Sequence, residues 1–554
     1  MRSKIVFHEH SELFFLFYSL YKQEKKYYNC LINIQLTFFS RYSGGIIMKT
    51  TKKCISLLLA LLMLVSSLSA IAFAADSYDH LPQIYVEGLD SKPIYYKDDP
   101  NKKPLFYPID TEMIFGNLLK YEDNIRLAIE SSDPNLLTAY LYEWLYSCYG
   151  MTALDKDGYT MRDDVMVPDT TLNYKGDGKY VFQYDTRLGP VDVAKELDEY
   201  IKWVQADSGS DRFELAASSY GASVAIAYLN EYTETRQYID SVVLCVPASN
   251  GIEFIGEIFS GEINADGDAL VAFLEKMMGV SDITLWLSLF NKTGTLGALL
   301  DDMLEPVLKM AILDALRKVV RDIFGTWPSL WSFVGEDYFY NALENIYGED
   351  YANPDHEYAE LIDRITYYYE NIMVNNDAIL TDVANADINV NILTKYGEAP
   401  FPLNKGGNMM GDTLVTLKNA SFGATCTLHQ EKFSADYTQA LYPEYNLISP
   451  DNCVDASTCL FPFNTWFIKG LSHSEKNDAY YNLINTVLYE DLDVFTRADM
   501  PQYLEVPEYD GNALVPMSTP TEEEKETSWL EDFLTLLPRL IRMIIDKIKA
   551  LFAK

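Results

Sequence analysis

Basic residues are scarce in this sequence, and their scarcity excludes two classes of partner. The 554 residues contain 44 lysines and arginines against 81 aspartates and glutamates, which gives a formal net charge of −37. A body this acidic repels both the phosphates of nucleic acids and an anionic lipid surface. We therefore expect no nucleic-acid partner, and we expect a soluble body that is exposed to an external medium.

Metal-binding spacings are missing as well. The chain has seven cysteines and six histidines, and no CxxC pair or cysteine–histidine spacing typical of a zinc site occurs. We therefore expect no metal centre. Cys453 and Cys459 flank a short polar loop and could form a disulfide in an oxidising exterior, whereas Cys245 lies in an apolar run and is expected to be core packing.

The apolar run near the N-terminus is too short to cross a membrane. Leu57–Leu68 follows the basic stretch Met48–Lys53 and precedes Ala70–Ala75, which offers A-x-A cleavage sites. Because a spanning helix needs roughly 20 apolar residues, the pattern predicts a secretory signal peptide at residues 48–74, cleaved after Ala74. We expect a secreted, extracellular protein that could also be associated with the cell surface.

The residues before Met48 do not fit this leader, because a signal peptide begins at its own methionine. Residues 1–47 are rich in tyrosine, phenylalanine and lysine without periodicity, and they end in Gly44 and Gly45 shortly before Met48. Glycine codons begin with GG, so this pair matches a translated ribosome-binding site. We interpret residues 1–47 as an extension produced by a wrongly assigned gene start.

After the leader, strands and helices alternate, which predicts a mainly parallel α/β sheet with helices on both faces. Short apolar runs predict strands at Leu81–Gly88, Val181–Tyr184, Ser241–Val246, Asp387–Thr394 and Asn464–Lys469, and Val191–Ala206 predicts an amphipathic helix. We expect residues 75–250 and 381–510 to form the two parts of this core. The helical, aromatic stretch 251–380 is expected to be a cap, or lid, inserted over the carboxyl edge of the sheet.

The C-terminal region predicts an appendage rather than part of the core. Residues 511–527 form an acidic linker, and residues 528–554 carry apolar side chains at helical spacing with interleaved lysines and arginines. This pattern is typical of an amphipathic helix with a basic face, and the helix is too charged to span a bilayer. Because the linker separates it from the body, peripheral membrane contact or self-association is favoured over simple docking on the core.

The stretch around Ser219 predicts a strand, a tight turn and a helix. Ala217, Gly221 and Ala222 surround the serine with little side-chain volume. Such a turn lifts one hydroxyl above the edge of a sheet, and the free N–H groups of the following helix favour a developing oxyanion. The usual pattern is Gly-x-Ser-x-Gly, and here alanine stands at the first glycine. The alternative is an ordinary helix N-terminus capped by Ser218 or Ser219.

An activated serine needs a base, and the scarcity of histidine makes the choice short. After the predicted leader, the histidines are His80, His356, His429 and His473. Only His473 lies a few residues past the last apolar run, where a loop would lie over the sheet edge. Asp412 lies between the strand at 387–394 and His473. An aspartate after glycine is also a common turn residue. The order Ser219, Asp412, His473 is nevertheless the order of an α/β-hydrolase.

These segments resemble the α/β-hydrolase lipases and acyltransferases related to lecithin:cholesterol acyltransferase. The resemblance covers residues 81–490, and its motifs are Val86–Ser91, Tyr184–Arg187, the 217–221 turn, Phe324–Trp331, Gly411–Thr416 and Lys469–His473. It implies an α/β-hydrolase fold with a large helical cap. It also implies Ser219 as nucleophile, Asp412 as orienting acid and His473 as general base, with the backbone N–H groups of Leu89 and Tyr220 as the oxyanion hole.

The chain departs from the family pattern at three places near these motifs. Glu87 stands where the family usually has proline, Thr186 replaces a tryptophan, and Thr-Leu-Val follows Asp412 in place of Gly-Thr-Val-Pro. None of these departures removes a group of the implied triad. Asp185 and Arg187 match a Tyr-Asp-Trp-Arg-like element of the family, which we interpret as structural support near the site.

The implied chemistry is acyl transfer to water through an acyl-enzyme, which requires no metal or organic cofactor. We expect a secreted serine hydrolase that cleaves carboxylic esters, either small molecules or lipids, with hydrophobic acyl groups. Candidate pocket residues in the cap are Leu285, Trp286, Phe290, Trp327 and Trp331, with ordinary helix packing as the alternative for each. An acyltransferase that uses an alcohol acceptor and an inactive hydrolase-fold binding protein are the alternative functions.

Overall fold

In the computed structural model of this protein, the described residues run from 80 to 519, with gaps at 90, 100–102, 106–110, 132, 168–173, 177, 263–266, 279–305, 403–406, 491 and 508–509. The predicted signal peptide, the extension before it and the C-terminal helix at 528–554 lie outside these residues. The end of the acidic linker, from residue 520, also lies outside them.

A mixed, mostly parallel sheet forms the centre of the fold. The strands of the described residues are β1 (Gln83–Val86), β2 (Tyr95–Tyr96), β3 (Val165–Met166), β4 (Tyr174–Gly176), β5 (Lys179–Phe182), β6 (Phe213–Ser218), β7 (Ile239–Cys245), β8 (Asn389–Tyr396), β9 (Thr425–Cys426), β10 (Val454–Asp455), β11 (Thr465–Lys469), β12 (Tyr503–Glu505) and β13 (Val515–Pro516). Nine of them form one sheet in the order β13-β12-β11-β8-β7-β6-β1-β5-β4. Only the edge pairs β4–β5 and β12–β13 are antiparallel. The expected α/β class is therefore confirmed.

Helices cover the sheet and fill its long connections. The helices of the described residues are α1 (Thr111–Glu130), α2 (Pro134–Tyr149), α3 (Pro190–Ser208), α4 (Tyr220–Glu231), α5 (Glu253–Phe259), α6 (Gly267–Met278), α7 (Pro306–Asp322), α8 (Pro328–Trp331), α9 (Phe339–Tyr347), α10 (Ala359–Asn371), α11 (Asn376–Asn385), α12 (Leu417–Ala420) and α13 (Asp478–Tyr489). Helix α3 begins with proline at its first turn and ends at Gly209, whose φ of 71° favours glycine. Within the described part of the chain, no helix is long and apolar enough to cross a membrane.

Both faces of the sheet are buried. Successive side chains of a strand point to opposite faces. In β1, Ile84 and Val86 accordingly join one apolar cluster and Tyr85 joins another. Residues of α3, α4 and α11 belong to the first cluster, and residues of α13 belong to the second. Burial on both faces explains why the central strands are nearly continuous apolar runs.

The described residues contain two helical insertions where one was expected. Helices α5 to α11 lie between β7 and β8 and match the stretch expected to be the cap. Helices α1 and α2 form a further insertion between β1 and β5, and α2 packs against α7 of the first insertion. At the other end of the expected cap, α11 packs against α4 and β8. That helix therefore belongs to the layer that covers the sheet.

Candidate active site

Ser219 occupies a strained turn between β6 and α4. Its backbone has φ 55° and ψ −119°. A non-glycine residue adopts such a conformation at a cost on the order of 1–3 kcal/mol. Hydrogen bonds fix the turn, because the N–H of Ser219 donates to the carbonyl of Cys245 at 2.9 Å and its carbonyl accepts from Ala222 at 3.0 Å. The serine is thus held between the carboxyl end of β6 and the first residue of a helix.

Small residues after the serine let the helix approach β1 closely. A Cβ atom on Gly221 would lie 2.5 Å from the carbonyl oxygen of Val86 and 2.6 Å from that of Glu87. Both contacts are with backbone atoms, so no side-chain movement could relieve them. The glycine therefore brings the N-terminus of α4 directly against the segment that follows β1.

The loop after β11 brings His473 to the serine. Its Nε2 atom lies 2.8 Å from Oγ of Ser219, and its Nδ1 atom lies 2.7 Å from Oδ2 of Asp412. His473 is 4% exposed and Asp412 is 0% exposed. With the imidazole proton on Nδ1 and donated to the carboxylate, Nε2 is available to accept the serine proton.

Asp412 is held in a tight turn that uses its other carboxyl oxygen. Oδ1 accepts from the backbone N–H of Leu414 at 3.1 Å and of Val415 at 2.8 Å. A Cβ atom on the preceding Gly411 would lie 2.3 Å from the carbonyl oxygen of Val415, so this turn also requires glycine. The carbonyl of Asp412 accepts from the N–H of His473 at 2.8 Å, which ties the two loops together.

The structure therefore brings together three side chains that lie far apart in the sequence. His473 is 61 positions from Asp412 and 254 from Ser219. They follow β6, β8 and β11, which belong to the parallel part of one sheet. Parallel strands end at the same edge of a sheet, where ligands of α/β proteins usually bind. The arrangement can deprotonate a serine hydroxyl and hold the resulting imidazolium against a carboxylate.

The two expected oxyanion donors lie on adjoining segments. Tyr220 is the first residue of α4, whose initial N–H groups have no partner within the helix. Leu89 follows β1 by three residues, in the segment against which Gly221 packs. Among the described residues, the N–H groups of Leu89 and Tyr220 donate to no backbone acceptor. Both groups are thus available to bind an oxygen atom.

Buried polar contacts support these two segments. Arg187 is fully buried, and its guanidinium donates to both carboxyl oxygens of Asp185, at 3.0 and 2.7 Å. The hydroxyl of Tyr184 donates to the carbonyl of Glu87 at 2.5 Å, and the hydroxyl of Tyr220 donates to the carbonyl of Leu188. Hydrogen bonds with segment 184–188 therefore stabilise both segments that carry the candidate oxyanion donors. The Glu87 side chain accepts from Gln183 at 2.6 Å.

The four candidate pocket aromatics divide into two pairs. Trp286 and Phe290, like Leu285, lie outside the described residues. Trp327 and Trp331 are 0% and 1% exposed, and their indole N–H groups donate to the carbonyls of Thr152 at 3.0 Å and Gly325 at 2.8 Å. Helix packing, the alternative for each of these residues, is the arrangement seen for Trp327 and Trp331.

The thiols do not pair. Cys148, Cys245, Cys426, Cys453 and Cys459 are all free cysteines. The disulfide considered for Cys453 and Cys459 is absent, and their Sγ atoms face the carbonyls of Glu431 and Ala456 instead. Among the described residues, no group of three or more His, Cys, Asp or Glu side chains could hold a metal ion.

An open groove of about 710 Å³ lies beside the turn that holds Asp412. Residues on both sides of that turn line it, namely Met409, Met410 and Thr416, together with residues 250–253 after β7. Its lining combines apolar side chains such as Ile252 with carboxylates such as Glu253.

We did not predict Lys395 from the sequence as part of the site. It lies near the carboxyl end of β8 and is fully buried, and its Nζ group donates to the carbonyl of His473 at 3.2 Å. The sequence feature that could have indicated it is a lysine within a predicted apolar strand. An unpaired buried ammonium is costly, so a buried lysine implies specific partners.

No protein-family model matches the chain, and no curated protein matches it. Among solved structures, a chain from "The crystal structure of Tle4-Tli4 complex" is 11% identical and is covered over 75% of its length, against 57% of this chain, with a TM-score of 0.22. A likeness this low carries no conclusion about fold or function.

Proposed function

We propose that this protein is a secreted serine hydrolase that cleaves carboxylic esters with hydrophobic, lipid-like acyl groups. The observation that carries the proposal is the hydrogen-bonded chain from Ser219 Oγ to His473 and on to Asp412, with distances of 2.8 and 2.7 Å. A serine in this setting is a nucleophile, because the histidine takes its proton and the carboxylate stabilises the imidazolium.

We further propose that the fold is an α/β-hydrolase fold. The strand order supports this proposal, because β1 lies between β5 and β6 and the chain therefore reverses direction across the sheet at β1. Ser219 follows β6 at this reversal, the acid follows β8 and the histidine follows β11. The order of the three residues along the chain is the order of an α/β-hydrolase, and it agrees with the resemblance to the lecithin:cholesterol acyltransferase relatives.

The reaction proceeds in two acyl-transfer steps. Ser219 Oγ attacks the ester carbonyl carbon while His473 Nε2 takes the hydroxyl proton, and the N–H groups of Leu89 and Tyr220 stabilise the oxyanion. The carbon–oxygen bond of the ester breaks, and the departing alcohol takes the proton from Nε2. A water molecule then loses a proton to Nε2 and attacks the acyl carbon. The bond between that carbon and Ser219 Oγ breaks, Oγ takes the proton from Nε2, and the carboxylic acid is released.

The groove beside the Asp412 turn supports a preference among esters. Ile252, Met410 and Phe422 provide apolar surface, which favours hydrophobic groups. The carboxylates in the lining outnumber its single lysine, Lys418, and a net negative charge repels an anionic substrate group; these carboxylates are Glu253, Glu336, Asp337 and Asp377. We therefore expect neutral esters to be hydrolysed faster than esters that carry a charged phosphate or carboxylate.

Hydrolysis of p-nitrophenyl esters of increasing chain length by the mature protein tests the function. We expect turnover and labelling of Ser219 by a fluorophosphonate probe, and Ser219→Ala should lose at least about 1,000-fold in kcat/KM. Ser223→Ala is the matched control, because Ser223 is buried in the same helix, and it should stay within about threefold of wild type.

Equal turnover by Ser219→Ala and wild type would contradict the role of Ser219 as nucleophile. No turnover at any chain length, together with no labelling by the fluorophosphonate probe, would contradict the proposal and favour a binding protein. An added alcohol acceptor separates the two enzyme classes. A new ester as the main product would identify an acyltransferase, whereas release of free acid supports the hydrolase.

A further inference from the structure

Lys395 makes a set of contacts that the two-step reaction does not use directly. Its Nζ group donates to three backbone carbonyls, those of Ser472, His473 and Glu475, at 3.2 Å for each of the first two. The ring centre of Tyr480 lies 4.4 Å from Nζ on the side of helix α13. Desolvating an ammonium costs several kcal/mol, so its burial requires compensating partners such as these.

We propose that Lys395 is a positioning residue that fixes the backbone of the His473 loop, a role that rests on the hydrolase function proposed above. Two of its acceptors are the carbonyls of His473 and of the residue before it, so the ammonium ties this loop to β8. The chain leaving β8 also carries Asp412, whose carbonyl accepts from the N–H of His473. The imidazole is therefore placed by bonds at both the N–H and the carbonyl of its own residue.

The chemistry of the side chain fits this role. An ammonium group has three N–H donors, which match the three carbonyl acceptors, whereas a neutral amine has two. Loss of one proton would therefore leave one of the loop carbonyls without its donor. Methionine would fill a similar volume and supply no donor at all.

The surroundings make the protonation state sensitive to pH. Burial lowers the pKa of Lys395 to about 7, and the positive charge of Lys476 acts in the same direction. The opposing groups are Asp412, Cys245 and Glu475, whose negative forms favour the ammonium. Burial raises the pKa of Glu475, but bonds from the N–H and hydroxyl of Ser472, together with the charges of Lys276 and Lys395, outweigh burial and lower it. The ring of Tyr480 also faces the ammonium, and Tyr85 lies beyond Lys476, whose Nζ donates to the Tyr85 hydroxyl.

The sign of the pH effect follows from these groups. As pH rises through the pKa of Lys395, the side chain loses a proton and the His473 loop loses a hydrogen bond. We therefore expect kcat of the wild type to fall as pH rises above the pKa of Lys395. On the acidic side, kcat should fall because His473 must be neutral to act as base.

Lys395→Met tests the proposal, with kcat, KM and the rate of fluorophosphonate labelling measured between pH 5 and 9. We expect kcat and the labelling rate to fall by about tenfold or more at pH 7 while KM changes by less than about threefold, because a misplaced base slows chemistry more than binding. The alkaline fall in kcat should disappear in this variant. Val487→Ala is the matched control, because it removes packing from the same face of the sheet and no hydrogen bond to the loop.

Lys395→Gln, which retains amide donors, should recover part of the lost kcat and serves as the second variant if the methionine variant does not fold. A folded Lys395→Met protein with kcat within about twofold of wild type and an unchanged pH profile would overturn the proposal. The proposal would also be overturned if the activity of Lys395→Met fell only in proportion to the amount of folded protein, as is expected for Val487→Ala. If neither variant folds, a wild-type kcat that stays level from pH 7 to 9 overturns it. If the proposed hydrolase function itself is wrong, the result differs from all of these, because the wild type would show no Ser219-dependent labelling.

Discussion

At the scale of single residues, Asp412 shows how a turn can orient a neighbouring histidine. Its two carboxyl oxygens have separate partners, since Oδ1 accepts two backbone N–H groups and Oδ2 faces Nδ1 of His473. A carboxylate that only accepts hydrogen bonds selects the imidazole tautomer with the proton on Nδ1. The turn therefore determines which nitrogen of His473 is available to the serine.

Asp412→Asn should preserve the turn and impair the chemistry. The amide oxygen can still accept from Leu414 and Val415, but an amide N–H facing Nδ1 would favour the other tautomer. We expect kcat to fall by about 1,000- to 10,000-fold with little change in KM. Steady-state kinetics and the melting temperature together check this prediction.

Asp451→Asn provides the comparison, because Asp451 is another buried carboxylate, bonded to Ser449 and Lys469. We expect this variant to lower stability and to leave kcat of the folded enzyme nearly unchanged. Similar kinetic losses in both variants would argue against a special role of Asp412.

At the scale of elements, the unit β6–Ser219–α4 depends on its contact with the end of β1. The helix approaches so closely that only glycine fits at its second position. This contact places the N–H of Tyr220 beside the segment that carries Leu89. The distance between α4 and β1 therefore sets the separation of the two proposed oxyanion donors.

Gly221→Ala should therefore reduce both stability and activity. The new Cβ atom would meet two backbone carbonyls, so we expect a loss on the order of 2 kcal/mol in the free energy of unfolding, or more. We also expect a drop in kcat of about 100-fold, because the donors move apart. Denaturant unfolding and kinetics measure the two effects.

Gly511→Ala is the control for glycine replacement, since a Cβ atom there would meet nothing within 4 Å. It should change the free energy of unfolding by less than about 0.5 kcal/mol. An unchanged Gly221→Ala protein would show that α4 can move away from β1 without consequence.

The helices α1 and α2 show a limit of prediction at this scale. The signals for α2 were present, with Asp133 capping the helix, Pro134 at its first position, and buried residues Leu137, Leu141, Leu145 and Cys148 at helical spacing. The local pattern did not show which element α2 packs against, because its packing partner α7 comes from a different part of the chain. The existence of the helix was predictable, and its role in a second insertion was not.

At the scale of the whole molecule, the fold separates a site at one edge of the sheet from a buried carboxyl at the other. Glu214 lies at the start of β6, whereas Ser219 follows its end. The Glu214 side chain is 3% exposed, and its Oε2 atom has no hydrogen-bond partner among the described residues. Burial raises the pKa of Glu214 to about 8.

The pH dependence of folding follows from this shift. A carboxyl group whose pKa is raised in the folded state favours folding fully at pH values below its unfolded pKa, and this contribution is lost as pH rises through about 8. Glu214→Gln removes the ionisation, so we expect this variant to exceed wild type by about 1–3 kcal/mol in the free energy of unfolding at pH 9 and to match it near pH 4.5.

Unfolding in denaturant across this pH range checks the prediction, and kcat should stay unchanged because Glu214 lies far along β6 from the serine. A difference between Glu214→Gln and wild type that is the same at all pH values would contradict the ionisation account.

Local alternation and side-chain size were sufficient to predict the α/β class, the bounds of the central strands within about two residues, and the small residues of the Ser219 turn. The scarcity of histidine also reduced the candidates for the proposed base to four residues, His80, His356, His429 and His473. Three features emerge only in the folded chain, namely the hydrogen-bond distances among Ser219, His473 and Asp412, the three carbonyls around Lys395, and the packing of α2 on α7. These contacts join residues tens to hundreds of positions apart, so their geometry arises from the order of the strands in the sheet and not from any local pattern.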